Sequence, residues 1–208
     1  MKLQDLSLKE FLAKTAGSDP VPGGGSISAL NGAIASALAE MLANLTIGKK
    51  KYEDVEGWMK ETAGKMAENQ PKFVNDIDRD SDAYNLVFDA FKLPKDTDEQ
   101  KAARSAKIQE ATKVAAQVPM EVAERAFNML DTIAETARKG NQNAVTDGCV
   151  AMMACRTAVL GAILNVRINL GSLKEEAFVK EYTEKCDRME REAMAKEQEL
   201  LTWVKTQL

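Results

Sequence analysis

The chain contains no histidine. That absence removes the usual Ser-His-Asp and Cys-His nucleophile arrangements, together with histidine-based zinc sites. Any acid–base chemistry must therefore come from Asp, Glu, Lys, Tyr or Cys. Aromatic residues are scarce too, at 5%, while alanine and methionine are plentiful, a balance that favours helices over sheets. The three cysteines, Cys149, Cys155 and Cys186, fit neither an even disulfide set nor close metal-ligand spacing, so no metal site is expected and a reducing cytoplasm is the expected location. Charges of both signs are interspersed and sum to −4, which gives no basic field for nucleic acid. Residues 1–20 mix charges and lack the hydrophobic segment of a signal peptide. The alanine-rich run from Ile27 to Ile47 is interrupted by Asn31, Glu40 and Asn44, too polar for an unassisted membrane span.

At 208 residues the chain is long enough for a full core and reads as one domain over 1–208. Ser7 and Glu10 form a capping box that opens a first helix ending at Gly17. A glycine loop, Pro22-Gly23-Gly24-Gly25-Ser26, precedes a second helix from Ser26 to about Ile47. A third helix runs from about Asp54 to Phe91, with Pro71 inside it as a break or kink. Thr97 with Gln100 opens a fourth that reaches Arg138 and is interrupted at Pro119. Asn141 to Ala144 forms a turn, and a fifth helix covers about Thr146 to Leu170. Ser172 with Glu175 is a further capping box for the last helix, whose buried stripe is Phe178, Tyr182, Met189, Ala193, Leu200 and Val204. No window alternates with period two, so the expected fold is all-α: a bundle of about six helices, several long and kinked at proline.

Helical phase sorts the residues that could carry chemistry. On the second helix Ile27, Leu30, Ile34, Leu38, Met41, Leu42 and Leu45 gather on one side, and Ala29, Gly32, Ala33, Ser36 and Ala37 on the other. Both sides read as buried, the small one against a close helix or a flat ligand. The fifth helix repeats the division, with Met152, Met153, Leu160, Ile163 and Leu164 opposite Asp147, Ala151, Ala154, Ala158, Asn165 and Asn169. Those amides and that carboxylate need partners, either one another or a ligand rich in donors and acceptors. On the third helix Phe73, Ile77, Tyr84, Phe88 and Phe91 define the expected buried side, with Asp80 near it and Asp78 and Asp82 pointing outward. Asp78, Asp80 and Asp82 mimic the start of a calcium loop, but Ala83 stands where the required glycine should be. A carboxylate on an apolar face has its pKa raised by desolvation unless a cation lowers it again, so Asp80 is either an acid–base group or half of an ion pair. The glycine loop is either a turn before a packed helix or, at the positive end of that helix, a cradle for a carbonyl or anionic oxygen.

Several segments together resemble the cyclodeaminase family: Pro22 to Ser26, Asp80 to Tyr84, Leu93-Pro94-Lys95 with Thr97, Val118-Pro119, Gly140-Asn141 with the following Asp147, and Asn165 to Leu170. Each motif is weak alone; their order over nearly the whole chain is specific. The resemblance implies an all-helical fold, a homodimer, and chemistry at N5 and N10 of tetrahydrofolate. In a cyclodeaminase, N10 attacks the formimino carbon of 5-formiminotetrahydrofolate and ammonia leaves, giving 5,10-methenyltetrahydrofolate. In a methenyltetrahydrofolate cyclohydrolase, water opens the same bridge to 10-formyltetrahydrofolate. The cyclodeaminase reaction is the first expectation and the cyclohydrolase the second, with a non-catalytic folate-binding helical dimer as the third. No metal and no cofactor beyond the folate itself is implied.

Under this resemblance Asp147 or Asp80 would be the acid–base group, Asp147 favoured for its place at a helix start beside the Asn141–Asn143 turn. Asn141, Asn143, Asn165 and Asn169 would hydrogen-bond the pterin or orient the one-carbon unit. The backbone of Gly23, Gly24, Gly25 and Ser26 would hold a carbonyl or carboxylate oxygen. Lys49, Lys50 and Lys95 are candidates for the glutamate tail, which is polyglutamylated in some folates.

Overall fold

A computed structural model describes residues 2–208, and among these there is no strand. Seven α-helices follow in order: α1 Leu8–Thr15, α2 Gly24–Asn44, α3 Glu56–Phe91, α4 Asp98–Phe127, α5 Leu130–Lys139, α6 Val145–Leu170 and α7 Glu176–Val204. The Ser7–Glu10 and Thr97–Gln100 capping boxes form as expected, each with the side-chain oxygen accepting from the N3 amide and the N3 side chain accepting from the N-cap amide. Ser172 caps nothing: α7 begins after Glu175 with no side-chain cap. Its carbonyl and the Lys174 amide are instead bound by the Gln109 side chain of α4.

The expected fourth helix is two. α4 continues through Pro119, and the break comes later, at Asn128 and Met129, before α5. α3 likewise continues through Pro71. A proline in a helix interior frees the carbonyl four residues earlier. For Pro119 that is Ala115, whose oxygen accepts a hydrogen bond from the Asn169 amide of α6 at 3.0 Å. The lost bond is thus replaced from a neighbouring helix, and the proline costs less than its usual ~3 kcal/mol.

α2 is the central element. It packs against α3 on one side and α6 on the other, and both run antiparallel to it. The small face seen in the sequence is the buried one, with Ala29, Gly32, Ala33 and Ser36 all inside. Gly32 shows why: a Cβ there would sit 2.5 Å from the Phe73 ring, so only glycine admits this fully buried aromatic of α3. Burying that ring contributes about 2–3 kcal/mol. α3 is also tied to α4 by Asp76, whose buried carboxylate accepts from Arg79 at 2.7 Å and from Arg125, while Arg79 reaches Glu121 at 2.8 Å.

Three sequence expectations about faces are corrected. The bulky side of α2 is not wholly inside: Leu42 is buried, but Ile34, Met41 and Leu45 are exposed. On α6, Met152 and Ile163 are core whereas Met153 and Leu164, with Val150 and Ile168, face outward. On α3 the apolar stripe is buried only at Phe73 and Ile77; Tyr84, Phe88 and Phe91 are exposed, the last with the Arg104 guanidinium of α4 lying 5.4 Å from its ring centre. Asp78 does not simply point to solvent either. It accepts from the Leu3 and Gln4 amides at 2.7 and 3.2 Å and pins the N-terminal turn to α3. In the last helix Phe178, Met189, Ala193, Leu200 and Val204 are buried as expected, with Tyr182 only partly so.

By length and composition α2 and the Gln142–Leu170 segment are apolar enough to cross a membrane, yet 56% and 50% of the tested windows are buried inside the bundle. Each works here as a core helix with one outward apolar stripe.

Candidate active site

The antiparallel packing of α2, α3 and α6 brings the start of α2, the middle of α3 and the end of α6 to one end of the bundle. A cavity of about 410 Å³ opens there, lined by Gly23, Gly24 and Gly25, by Asp80 and Tyr84, and by Asn165 and Asn169, among others. That volume lies within the range of small-molecule sites, roughly 300–1,000 Å³.

Asp80 sits against the first turn of α2. No side chain of the glycine loop caps that turn, so the carboxylate arriving from α3 occupies its positive end. Gly25 makes this possible: a Cβ there would lie 1.9 Å from Asp80 Oδ1 and 2.4 Å from its carboxyl carbon. The group that closes on the start of α2 is thus the protein's own carboxylate, whereas the sequence suggests an oxygen of the ligand held by the Gly23–Ser26 backbone. Ser26 Oγ donates to Asp80 Oδ2 at 3.0 Å. Among the described residues no cation pairs with Asp80 in the way that Arg79 and Arg125 pair with Asp76. Burial pushes the Asp80 carboxyl above its usual range, and the Ser26 hydroxyl and amide offset this only in part. A carboxyl so placed holds a proton closer to neutrality than an exposed one.

The two asparagines complete the wall. Asn165 donates to the Gly161 carbonyl at 2.9 Å, and Asn169 donates to Ala115 at 3.0 Å and to Asn165 at 2.8 Å. These bonds consume amide N–H groups and fix both side chains, so their Oδ1 oxygens have no donor among the described residues and remain as acceptors at the cavity. Tyr84 forms the opposite lip. Its ring lies near-parallel to Phe88 at 6.4 Å, and Lys92 Nζ sits 4.1 Å from the Phe88 ring centre. Aromatic surface and then a cation, itself paired with Asp89 at 2.7 Å, thus lead outward along α3.

The remaining sequence candidates lie elsewhere in the chain. Asn141 is buried at the other end of α2, where its amide donates to Thr46 Oγ1, its side chain donates to the Leu45 carbonyl and its Oδ1 accepts from the Asn143 amide. Asp147 begins α6, separated from Asn165 by roughly 27 Å of helix at the usual rise. Lys49 and Lys50 are exposed at that same far end. Lys95 is exposed beyond the end of α3, which carries it roughly 17 Å or more along the helix from Asp80. The sequence missed the lining residues Val87, Ala115 and Ile168. Only one signal pointed toward them: the phase of Val87, one turn beyond Tyr84 and two beyond Asp80.

The chain resembles known proteins over almost its full length. It is 38% identical over 202 residues to the methenyltetrahydrofolate cyclohydrolase of Methylorubrum extorquens, covering 97% of both chains. It is 31% identical over 176 residues to the mouse formimidoyltransferase-cyclodeaminase, spanning 85% of this chain but only 32% of that longer one. The crystal structure of formiminotetrahydrofolate cyclodeaminase from Thermotoga maritima superposes with a TM-score of 0.85 at 33% identity, covering 96% of both chains. The profile of the family described as formiminotransferase-cyclodeaminase matches residues 7–188, and with the all-helical fold and the shared architecture, the chain belongs to that family.

Proposed function

We propose that the protein is a folate one-carbon enzyme that closes or opens the carbon bridge between N5 and N10 of tetrahydrofolate, with conversion of 5-formiminotetrahydrofolate to 5,10-methenyltetrahydrofolate and ammonia as the first reading. The observation that carries it is Asp80: a carboxyl raised by burial, without a cation partner, at the wall of a ligand-sized cavity. After N10 attacks the formimino carbon, a proton must leave N10 and one must reach the departing amino group. A single carboxyl whose proton affinity is raised by burial performs both transfers in sequence, taking the N10 proton and returning it to nitrogen as ammonia leaves. The Asn165 and Asn169 acceptor oxygens suit the N–H groups of a pterin. The glutamate tail would follow Tyr84 and Phe88 toward Lys92, while Lys49 and Lys50 are at the wrong end of the chain for this role.

A second reading is favoured by the likeness to the Methylorubrum protein, whose chain matches this one from end to end. In a cyclohydrolase the same carboxyl takes a proton from the attacking water and delivers it to N5 as the N5–carbon bond breaks, and the remaining hydroxyl proton passes to solvent as the formyl carbonyl forms. Assaying the purified protein on each folate separates the readings. The methenyl chromophore grows from 5-formiminotetrahydrofolate in the first and is lost from 5,10-methenyltetrahydrofolate in the second. Silence with both substrates leaves a folate binder.

The outward stripes of α2 and α6 support a homodimer. Ile34, Met41 and Leu45 lie beside Met153, Leu164 and Ile168 on neighbouring antiparallel helices, and a second copy of the same face is their natural cover. Three free thiols, all buried, suit a reducing cytoplasm.

A further inference from the structure

Ser26 is fully buried, so its hydroxyl does not reach a ligand, although the loop to which it belongs lines the cavity. Three oxygens surround Ser26 Oγ: the Ile77 carbonyl at 3.0 Å, Asp80 Oδ2 at 3.0 Å and Ser81 Oγ at 3.2 Å. A serine hydroxyl carries one proton and two lone pairs, so it cannot donate to the carbonyl and the carboxylate at once. Both patterns fit the same heavy atoms. With Asp80 ionised, Ser26 donates to Oδ2 and accepts from Ser81. With Asp80 protonated, the carboxyl donates to Ser26, which turns its own proton to the Ile77 carbonyl and still accepts from Ser81.

We infer that Ser26 is a positioning residue whose hydroxyl rotates between Asp80 and the Ile77 carbonyl, so that the carboxyl gains and loses its proton without moving, with Ser81 as the donor that holds the hydroxyl in both states. The inference deepens the reading of Asp80 as the acid–base group and rests on it. The Ser26 amide serves only the ionised carboxyl, so without this rotation the neutral form would have no acceptor at Ser26, and each turnover would need a side-chain shift to supply one. The arrangement keeps the proton-transfer atom where the cavity presents it, which is the condition for a productive approach.

The test is the titration of Asp80 followed by carboxyl carbon NMR in the wild type and in Ser26→Ala, alongside the pH profile of turnover. The ionised carboxyl loses a charge-assisted bond in Ser26→Ala while the neutral one loses a weaker bond. The titration midpoint should therefore move up by about half to one pH unit. Turnover should fall about tenfold with KM within about twofold, and the pH limb should move with the NMR midpoint. In an Asp80→Asn background, Ser26→Ala should cost no further activity. An unmoved Asp80 midpoint overturns the inference, as does a raised KM with turnover intact, which would mean that the hydroxyl touches the ligand. Ser81→Ala, which leaves Ser26 in place, should shift the midpoint upward by less, and no shift there removes Ser81 from the relay. The NMR arm reads Asp80 directly, so it decides the inference even if the wild type turns over neither folate, a result that would overturn the functional reading alone.

Discussion

Gly25→Ala separates catalysis from stability, because the three heavy atoms nearest its added Cβ all belong to the Asp80 carboxyl. The added Cβ would lie 1.9 Å from Asp80 Oδ1, and 3.0 Å is the closest approach that real Cβ atoms make. The carboxyl must therefore retreat by at least 1.1 Å, the gap between those two distances. Asp80 lines an open cavity, so it has room to swing, and the overpacking penalty falls at the low end of about 1–3 kcal/mol. Alanine in place of glycine within a helix returns about 0.5–1 kcal/mol. The net change in stability is then about 1 kcal/mol or less, a small shift in the thermal midpoint. Activity responds differently, since an ångström of displacement at a reacting group costs on the order of 100-fold. The variant should fold, melt within a few degrees of the wild type, and lose about two orders of magnitude in kcat on whichever folate the wild type converts. Gly64→Ala is the matched control: a Cβ there meets nothing within 4 Å, so it should gain about 0.5–1 kcal/mol with unchanged turnover. If Gly25→Ala keeps its kcat within threefold of the wild type, the position of Asp80 does not matter and the site has been misassigned.

Asp80→Asn should lower kcat by about 100- to 10,000-fold while leaving the fold intact, as judged by circular dichroism and KM. The same variant reports on linkage. Asp80 has a folded pKa above its unfolded value of 3.8, so its contribution to stability is fully present below pH 3.8 and is lost as pH rises through the folded pKa. The difference between wild-type and Asp80→Asn melting temperatures should turn against the wild type across that window, and a flat difference would contradict the raised pKa. Asp147→Asn should retain near-normal turnover, because its carboxylate stands at the opposite end of α6; a large loss would mean that a second copy brings this residue to the site. Leu164→Glu with Ile168→Glu should convert a sedimenting dimer to monomer without loss of helicity, and an unchanged sedimentation coefficient would refute the proposed interface. Asp76→Ala should destabilise the fold by about 2 kcal/mol in chemical denaturation, below the usual range for a broken buried pair because Arg79 and Arg125 remain partly solvated.

The sequence alone determined what depends on neighbours along the chain. Capping boxes at Ser7 and Thr97, glycine close to helix ends and the absence of period-two patterning are local properties, and most helix ends follow from them to within three residues, the break at Asn128 and Met129 being the main exception. The absence of histidine restricted proton transfer to groups such as carboxylates, and helical phase placed Asp80 near an apolar face. Only the tertiary structure decided which face meets which neighbour. Phase put Phe73 and Phe88 on related sides of one helix, yet Phe73 is buried by the notch at Gly32 and Phe88 has no cover. Pro119 read as an interruption because its lost hydrogen bond is visible in the sequence, whereas the Asn169 amide that replaces it comes from another helix. Along the chain Asp147 is favoured over Asp80 for its place at a helix start. They were separated by the antiparallel course of α2, α3 and α6, which joins residues 23–26, 80 and 165–169 at one end and leaves Asp147 at the other. Distance along a helix is legible in a sequence, but which ends coincide is set by packing, and the candidate site lies where they do.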